Sequence, residues 1–207
     1  KTPQQMWHQY QTMQTPTPAK YARDLAHDLG LSEAELPLAR IGHDGVRLRD
    51  DARAILTDLE AVGETKCICR NEYAVHEQLG SFSNLKIGEH AGLVLNPRAP
   101  DQRLFPSQWH SAFALSEQSP RGERHSVQIF DRHGDAVLKI YTTDNTDMEA
   151  WQALIAQFST ANPEALEWVP AAANSWAQEV DAAALDSAWR EMTDVHQFFG
   201  LLKRHNI

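Results

Sequence analysis

Along the first sixty residues apolar side chains recur at helical spacing, and beyond Glu64 they recur at every second position. The helical part predicts a short helix over Pro3–Gln14, a Thr-Pro-Thr-Pro break at 15–18, and a helix over Lys20–Leu29 carrying Tyr21, Leu25 and Leu29. Gly30 stops that helix. Ser32 with Glu35 three residues on is a capping-box pattern for a further short helix. Asp51–Val62 is periodic through Ile55, Leu59 and Val62 and ends at Gly63.

The alternating part consists of seven short runs, TKCICR, SNLKIGEH, HAGLVLN, QRLF, HSAFALSE, HSVQIFD and AVLKIYTT, separated by turn residues. Ser126–Asp131 and Ala136–Thr142 form the clearest hairpin, joined by Arg132-His133-Gly134-Asp135. In it Val127 and Ile129 share one face, while Val137, Lys139 and Tyr141 lie opposite Leu138 and Ile140. A helix follows over Asp147–Phe158, with Trp151, Leu154, Ile155 and Phe158 on one stripe. Ser159–Ala184 is rich in Ala, Pro, Asn and Glu and reads as a linker. Helices first, strands in the middle and a closing helix predict an α+β domain around an antiparallel sheet.

A separate amphipathic helix is expected over Asp186–His205. Its apolar stripe runs Leu185, Trp189, Met192, His196, Phe199 and Leu202, in steps of 4, 3, 4, 3 and 3, with Gly200 as the weak point. Trp7-His8-Gln9-Tyr10 faintly echoes Val195-His196-Gln197-Phe198, which hints that this helix opens a second repeat.

Charge narrows the function. With 28 acidic against 19 basic residues the net charge is −9, which disfavours nucleic acid and anionic membrane surfaces as partners. No run approaches ~18 apolar residues, so no membrane-spanning segment is expected. No retained targeting segment is visible, and the opening at Lys1 without Met leaves room for a removed leader. Cys67 and Cys69, two apart on a strand, read as reduced and fairly buried thiols of a reducing compartment.

Candidate chemistry is sparse. The H-E-x-x-H, P-loop and G-x-S-x-G patterns are absent. Of ten histidines, His8 and His27 read as helix surface, His133 as a turn residue, and His43, His90, His110 and His125 as structural or solvent-facing at strand ends. Arg103 sits with Phe105 on one face of a short apolar strand closed by Pro106. Facing inward it needs an anionic or water-linked partner; otherwise it reads as half of a salt bridge at a strand edge. His76 is a candidate for the same sheet surface. His196 has two readings, a hydrogen-bonded helix histidine or a neutral imidazole ligand to haem iron, with Met192 and Phe199 packing on a porphyrin one turn away.

Five segments in order, KYARDLAHDLGLSEAEL, RNEYAVHEQLG, EHAGLVLNPRAPDQRLF, HSVQIFDRHGDAVLKIY and WREMTDVHQFFGLLKRHN, resemble the HemS/ChuS/HmuS/PhuS-type haem-utilisation (hemin-degrading factor) proteins of Gram-negative bacteria. The resemblance implies cytoplasmic handling of imported haem, either by oxidative breakdown that releases iron, with a reductase as partner, or by storage and delivery to a separate haem oxygenase. It implies His196 as proximal ligand to the haem iron, Arg103 on the distal side as the catalytic and binding arginine, and Phe199 against the haem. It also implies a division into a first repeat over residues 1–160, a linker over 161–185, and the opening helix of a second repeat over 186–207. The second half of such a protein supplies further haem contacts, so either this chain is a fragment or two single-repeat chains pair as a homodimer.

Overall fold

In the computed structural model the described residues are 2–13, 20–119, 122–177 and 179–207; Gln14 and the Thr-Pro break at 15–18 lie outside them. The chain divides into two compact units, Lys1–Pro170 and Ala171–Ile207.

The first unit is the expected α+β domain. It opens with α1 (Pro3–Met13), α2 (Ala22–Leu29) and α3 (Glu35–Ala39). Gly30 closes α2 in the left-handed region at φ 65°, as its position after the last periodic residue predicts. The capping box forms: Glu35 reaches back so that the Ser32 backbone N–H donates to its Oε2 at 2.7 Å. After β1 (Gly45–Leu48), Asp51 caps α4 (Ala52–Asp58), which tightens into a 3-10 turn over Leu59–Val62. Then come β2 (Gly63–Arg70), β3 (Val75–Ser81), β4 (Leu85–Ile87), β5 (Gly92–Leu95) and β6 (Asp101–Leu104). The long strands β7 (Trp109–Ser119), β8 (Gly122–Asp131) and β9 (Ala136–Thr146) lead into α5 (Met148–Phe158), capped by Asp147.

Two strands escape the alternation pattern. β1 is only four residues long, and β3 is an edge strand with exposed Val75 and Leu79 among polar residues. An edge strand has no buried second face to impose strict alternation. Six strands form an antiparallel sheet in the order β1-β7-β8-β9-β2-β3, and β4-β5-β6 form a second sheet.

One core joins the two sheets. Cys67, Ala112, Ala114, Val127, Ile129, Leu138 and Ile140 of the large sheet cluster with Val94 and Leu104 of the small one. Ile55, Leu56, Trp151, Leu154 and Phe158 from α4 and α5 complete it. The faces read from β8 and β9, Val127 with Ile129 and Leu138 with Ile140, are those in this core, while Gln128 and Phe130 on the other face of β8 are buried as well. A smaller cluster holds Phe113 edge-on to Phe130, 5.8 Å between centroids, with Ala34, Leu38, Leu166 and Trp168 around them. The segment leaving α5 is thus pinned back on the domain, and His133 Nδ1 meets the Val169 carbonyl at 2.7 Å. Gly134, at φ 83°, lets that hairpin turn approach Ser32, where an added Cβ would stand 2.4 Å from the serine side chain.

The second unit is helical and separate, but not one helix. α6 (Ala182–Arg190), capped by Asp181, is separated by the four residues 191–194 from a 3-10 turn over Val195–Gln197, which runs into α7 (Phe198–Arg204). The break spans residues 191–194, with Asp194 starting the next turn, and does not fall at Gly200. Asp194 is extended at φ −145°, ψ 134°, and its side chain accepts from the His196 backbone N–H, the local competition that disfavours aspartate inside helices. Trp189 and Phe198 meet edge to face at 5.3 Å, and Leu201 is buried. The stripe expected to lie on one face is consequently split, with His196 and Phe199 turned outward.

Candidate functional site

Two groups of residues carry the candidate chemistry, one in each unit. The first is a cleft of about 400 Å³ lined by Cys69, His76, Asp101, Gln102, Arg103, Leu104, Phe105, Gln108, Trp109, Val137 and Leu138. Strand alternation sets its wall: Gln102 and Leu104 of β6 are buried, whereas Asp101, Arg103 and Phe105 are exposed. Arg103 and Phe105 share a face as the sequence predicts, and that face looks outward. Among the described residues the Arg103 guanidinium has neither a hydrogen bond nor an ion pair, while its backbone belongs to the β5–β6 ladder. A guanidinium with five unspent donors beside an aromatic ring suits an anionic or polar ligand group.

The strand bearing Arg103 is held from behind. Gln102 Nε2 donates to Cys67 Sγ at 2.9 Å and to Gln78 Oε1 at 3.2 Å, and Gln78 Oε1 also accepts from the Asp101 backbone N–H at 2.9 Å. Burial pushes the Cys67 thiol up to about 11 and raises that of Cys69 as well. Both stay protonated at neutral pH, so Cys69 lines the cleft as a thiol. His76 lies directly across from Cys69 in the β2–β3 ladder and joins the cleft, as its sequence position suggested.

Gly80 sets how closely the β6 approach loop can lie. It has φ 146°, and a Cβ there would stand 2.8 Å from Pro100 Cδ. Gly80→Ala is expected to cost about 1–3 kcal/mol in denaturant unfolding, because both backbone and contact are strained. A loss below about 0.5 kcal/mol would mean that the loop is not packed on β3.

The second group surrounds His196. Its side chain is 74% exposed, and the flanking Val195 and Phe199 are 77% and 78% exposed. Asp194 Oδ1 receives the His196 backbone N–H at 2.7 Å and lies 2.6 Å from Nδ1. Hydrogen bonds from the His196 backbone and ring hold the Asp194 carboxyl below its ordinary range. With Nδ1 as donor to that carboxylate, Nε2 is the nitrogen left with a lone pair. Reasoning from sequence picked out His196, Arg103, Phe199 and His76 but missed Asp194 and Trp109. Asp194 carried a legible signal, a capping residue with Gln197 three positions on, although Gln197 Oε1 accepts from the Thr193 backbone N–H at 3.0 Å and not from that of the cap residue.

Residues 30–158 match the family described as the haemin-degrading HemS.ChuX domain. The chain belongs to this family. Over 203 residues it is 54% identical to the hemin transport protein HmuS of Yersinia pestis, covering 98% of this chain and 59% of that protein. It is similar to the haem-degrading enzyme ChuS of Escherichia coli O157:H7, with 51% identity and a TM-score of 0.81 over 100% of this chain and 60% of that one. The haem-bound structure of PhuS, a haem-binding protein from Pseudomonas aeruginosa, aligns with a TM-score of 0.82 at 35% identity, over 99% and 61% of the two chains. The chain thus spans about three fifths of the length of these relatives. No helix among the described residues is long and apolar enough to cross a membrane.

Proposed function

We propose that this chain binds haem with His196 on the iron, Arg103 on the distal side and Phe199 against the macrocycle, and that it serves bacterial haem-iron acquisition in the cytoplasm by degrading the haem oxidatively to release iron. Residues 186–207 are then the opening of a second repeat, 1–160 the first, and 161–185 the linker between them. The observation that carries the reading is the His196 imidazole: outward, flanked by the apolar Val195 and Phe199, and held through one nitrogen so that the other is free for a metal. Arg103, unpaired in an aromatic-lined cleft, is the second support.

The chain's own residues have distinct tasks in this scheme. His196 donates a lone pair, Phe199 and Val195 exclude water from that side, and Arg103 presents a fixed positive charge where negative charge develops during oxidation. Electrons come from an external reductase or small reductant, and dioxygen is the oxidant. A second reading keeps the same ligation for storage and delivery of haem to a separate oxygenase; the description of PhuS as haem-binding and of HmuS as a transport protein favours it. Partnership of two copies as a homodimer fits either reading.

Titration with haem beside His196→Ala tests the ligation. The parent is expected to give a strong Soret band, and the variant a weaker band with changed ligation; equal spectra and affinity would refute His196 as ligand. Ascorbate added to the parent complex then separates the two readings. Soret loss with iron release supports degradation, while a stable spectrum with transfer to an added oxygenase supports carriage.

A further inference from the structure

The Asp194 carboxylate serves two groups with one oxygen. Its Oδ1 caps the turn by accepting the His196 backbone N–H at 2.7 Å, and it receives the same residue's Nδ1 at 2.6 Å. The cap alone would need only the first of these bonds. The second fixes the ring: Nδ1 carries the proton, and rotation about the side chain is restrained although the imidazole is 74% exposed. Gln197 closes the loop from the other side, its Oε1 accepting from the Thr193 backbone N–H at 3.0 Å. The whole Thr193–Gln197 segment is thereby shaped around the ring it presents.

We infer that Asp194 is the positioning residue for His196 as an iron ligand, setting its tautomer and strengthening the donation of Nε2 to haem iron. This rests on the reading of His196 as the ligand. A carboxylate hydrogen-bonded to the remote nitrogen of a metal-bound imidazole makes that imidazole a stronger donor, because partial withdrawal of the Nδ1 proton returns electron density to the ring. Stronger donation favours ferric over ferrous iron. Such a pair therefore holds incoming haem in the oxidised form until an electron donor is engaged. In this role the Asp194 side chain acts through His196 alone.

The test compares the parent chain with Asp194→Asn, Asp194→Ser and His196→Ala, each titrated with haem. Asparagine and serine both retain a side-chain oxygen able to cap the turn, so circular dichroism is expected to match the parent. Asp194→Asn is expected to bind haem about tenfold more weakly, within the usual range for loss of an outer partner of a metal ligand. In its ferrous complex the iron–imidazole stretching frequency should fall, and its reduction midpoint should rise. Asp194→Ser, too short to reach the ring, should shift both in the same direction. A role in capping alone would leave the stretching frequency and midpoint at parental values in both variants, and that result overturns the inference. His196→Ala guards the premise: if it abolishes the iron–imidazole band while the Asp194 variants behave as the parent, only the role of Asp194 fails. Retention of the parental band in His196→Ala would remove the ligand assignment and the inference together.

Discussion

Arg40→Ala is expected to destabilise the first unit by about 3 kcal/mol, the low end for breaking a buried ion pair. Arg40 is only 3% exposed, yet it lies at the meeting point of three elements. Its Nε and Nη2 grip Asp44 at 2.9 and 2.7 Å in a two-pronged pair, and its Nη1 reaches Glu117 Oε1 on β7 at 2.8 Å and the Tyr10 hydroxyl on α1 at 3.0 Å. Removing the guanidinium leaves Tyr10 and Glu117 without it in a dry setting, although Arg124 still pairs with Glu117 at 3.0 Å. That remaining partner is why the low end of the range applies. For a unit of this size the loss corresponds to a fall of about 6–12 °C in Tm. Arg40→Lys should recover only part of it, because an ammonium cannot reproduce the planar fork on Asp44. A Tm within 2 °C of the parent in calorimetry would refute the role given to this network.

The same network predicts the response to acid. Burial pushes the Glu117 carboxyl upward, but Arg40 and Arg124 more than reverse this and hold it below its ordinary range. A carboxylate with a lowered folded pKa binds fewer protons folded than unfolded. Its contribution is therefore complete above the unfolded value of about 4.3 and is lost as pH falls through the lower, folded value.

Local signals were legible in the sequence and tertiary ones were not. The β8–β9 hairpin, the helix starting at Asp147, the stop at Gly30 and the Ser32–Glu35 box depend on residues within a few positions of one another. Arg103 and Phe105 were correctly placed on one face, since alternation is a property of any strand. Which way that face looks was not legible: it is fixed by Gln102, Cys67 and Gln78, brought together from three strands. At the C-terminal segment a local signal was outweighed by a longer pattern. Six apolar or aromatic positions at helical spacing suggested one helix, while Asp194 followed by Gln197 marked a new helix start. The aspartate prevailed because a cap bond forms within a residue or two, whereas a solvent-facing stripe has no core to enforce it.

Arg40 and Arg103 are opposite cases of one side chain, and the contrast yields the second large effect. Arg103→Ala removes no hydrogen bond or ion pair among the described residues, so its expected cost to stability is within about 0.5 kcal/mol. Its exposed place beside Phe105 and Trp109 gives the fold nothing that an alanine would not. An unpaired guanidinium on a strand held from behind is available to a group that arrives from outside. If that visitor is haem being oxidised, loss of a fixed donor at the site of developing negative charge should slow reductant-driven Soret decay about 100-fold. The His196-dependent spectrum of the resting complex should persist, since the ligand lies on the other unit of the chain. Arg103→Lys should restore part of the rate, as it keeps the charge but loses the planar set of donors. Decay at the parental rate in Arg103→Ala, with unfolding unchanged, would show that this arginine serves neither the fold nor the oxidation, and the distal assignment would fall while that of His196 stood.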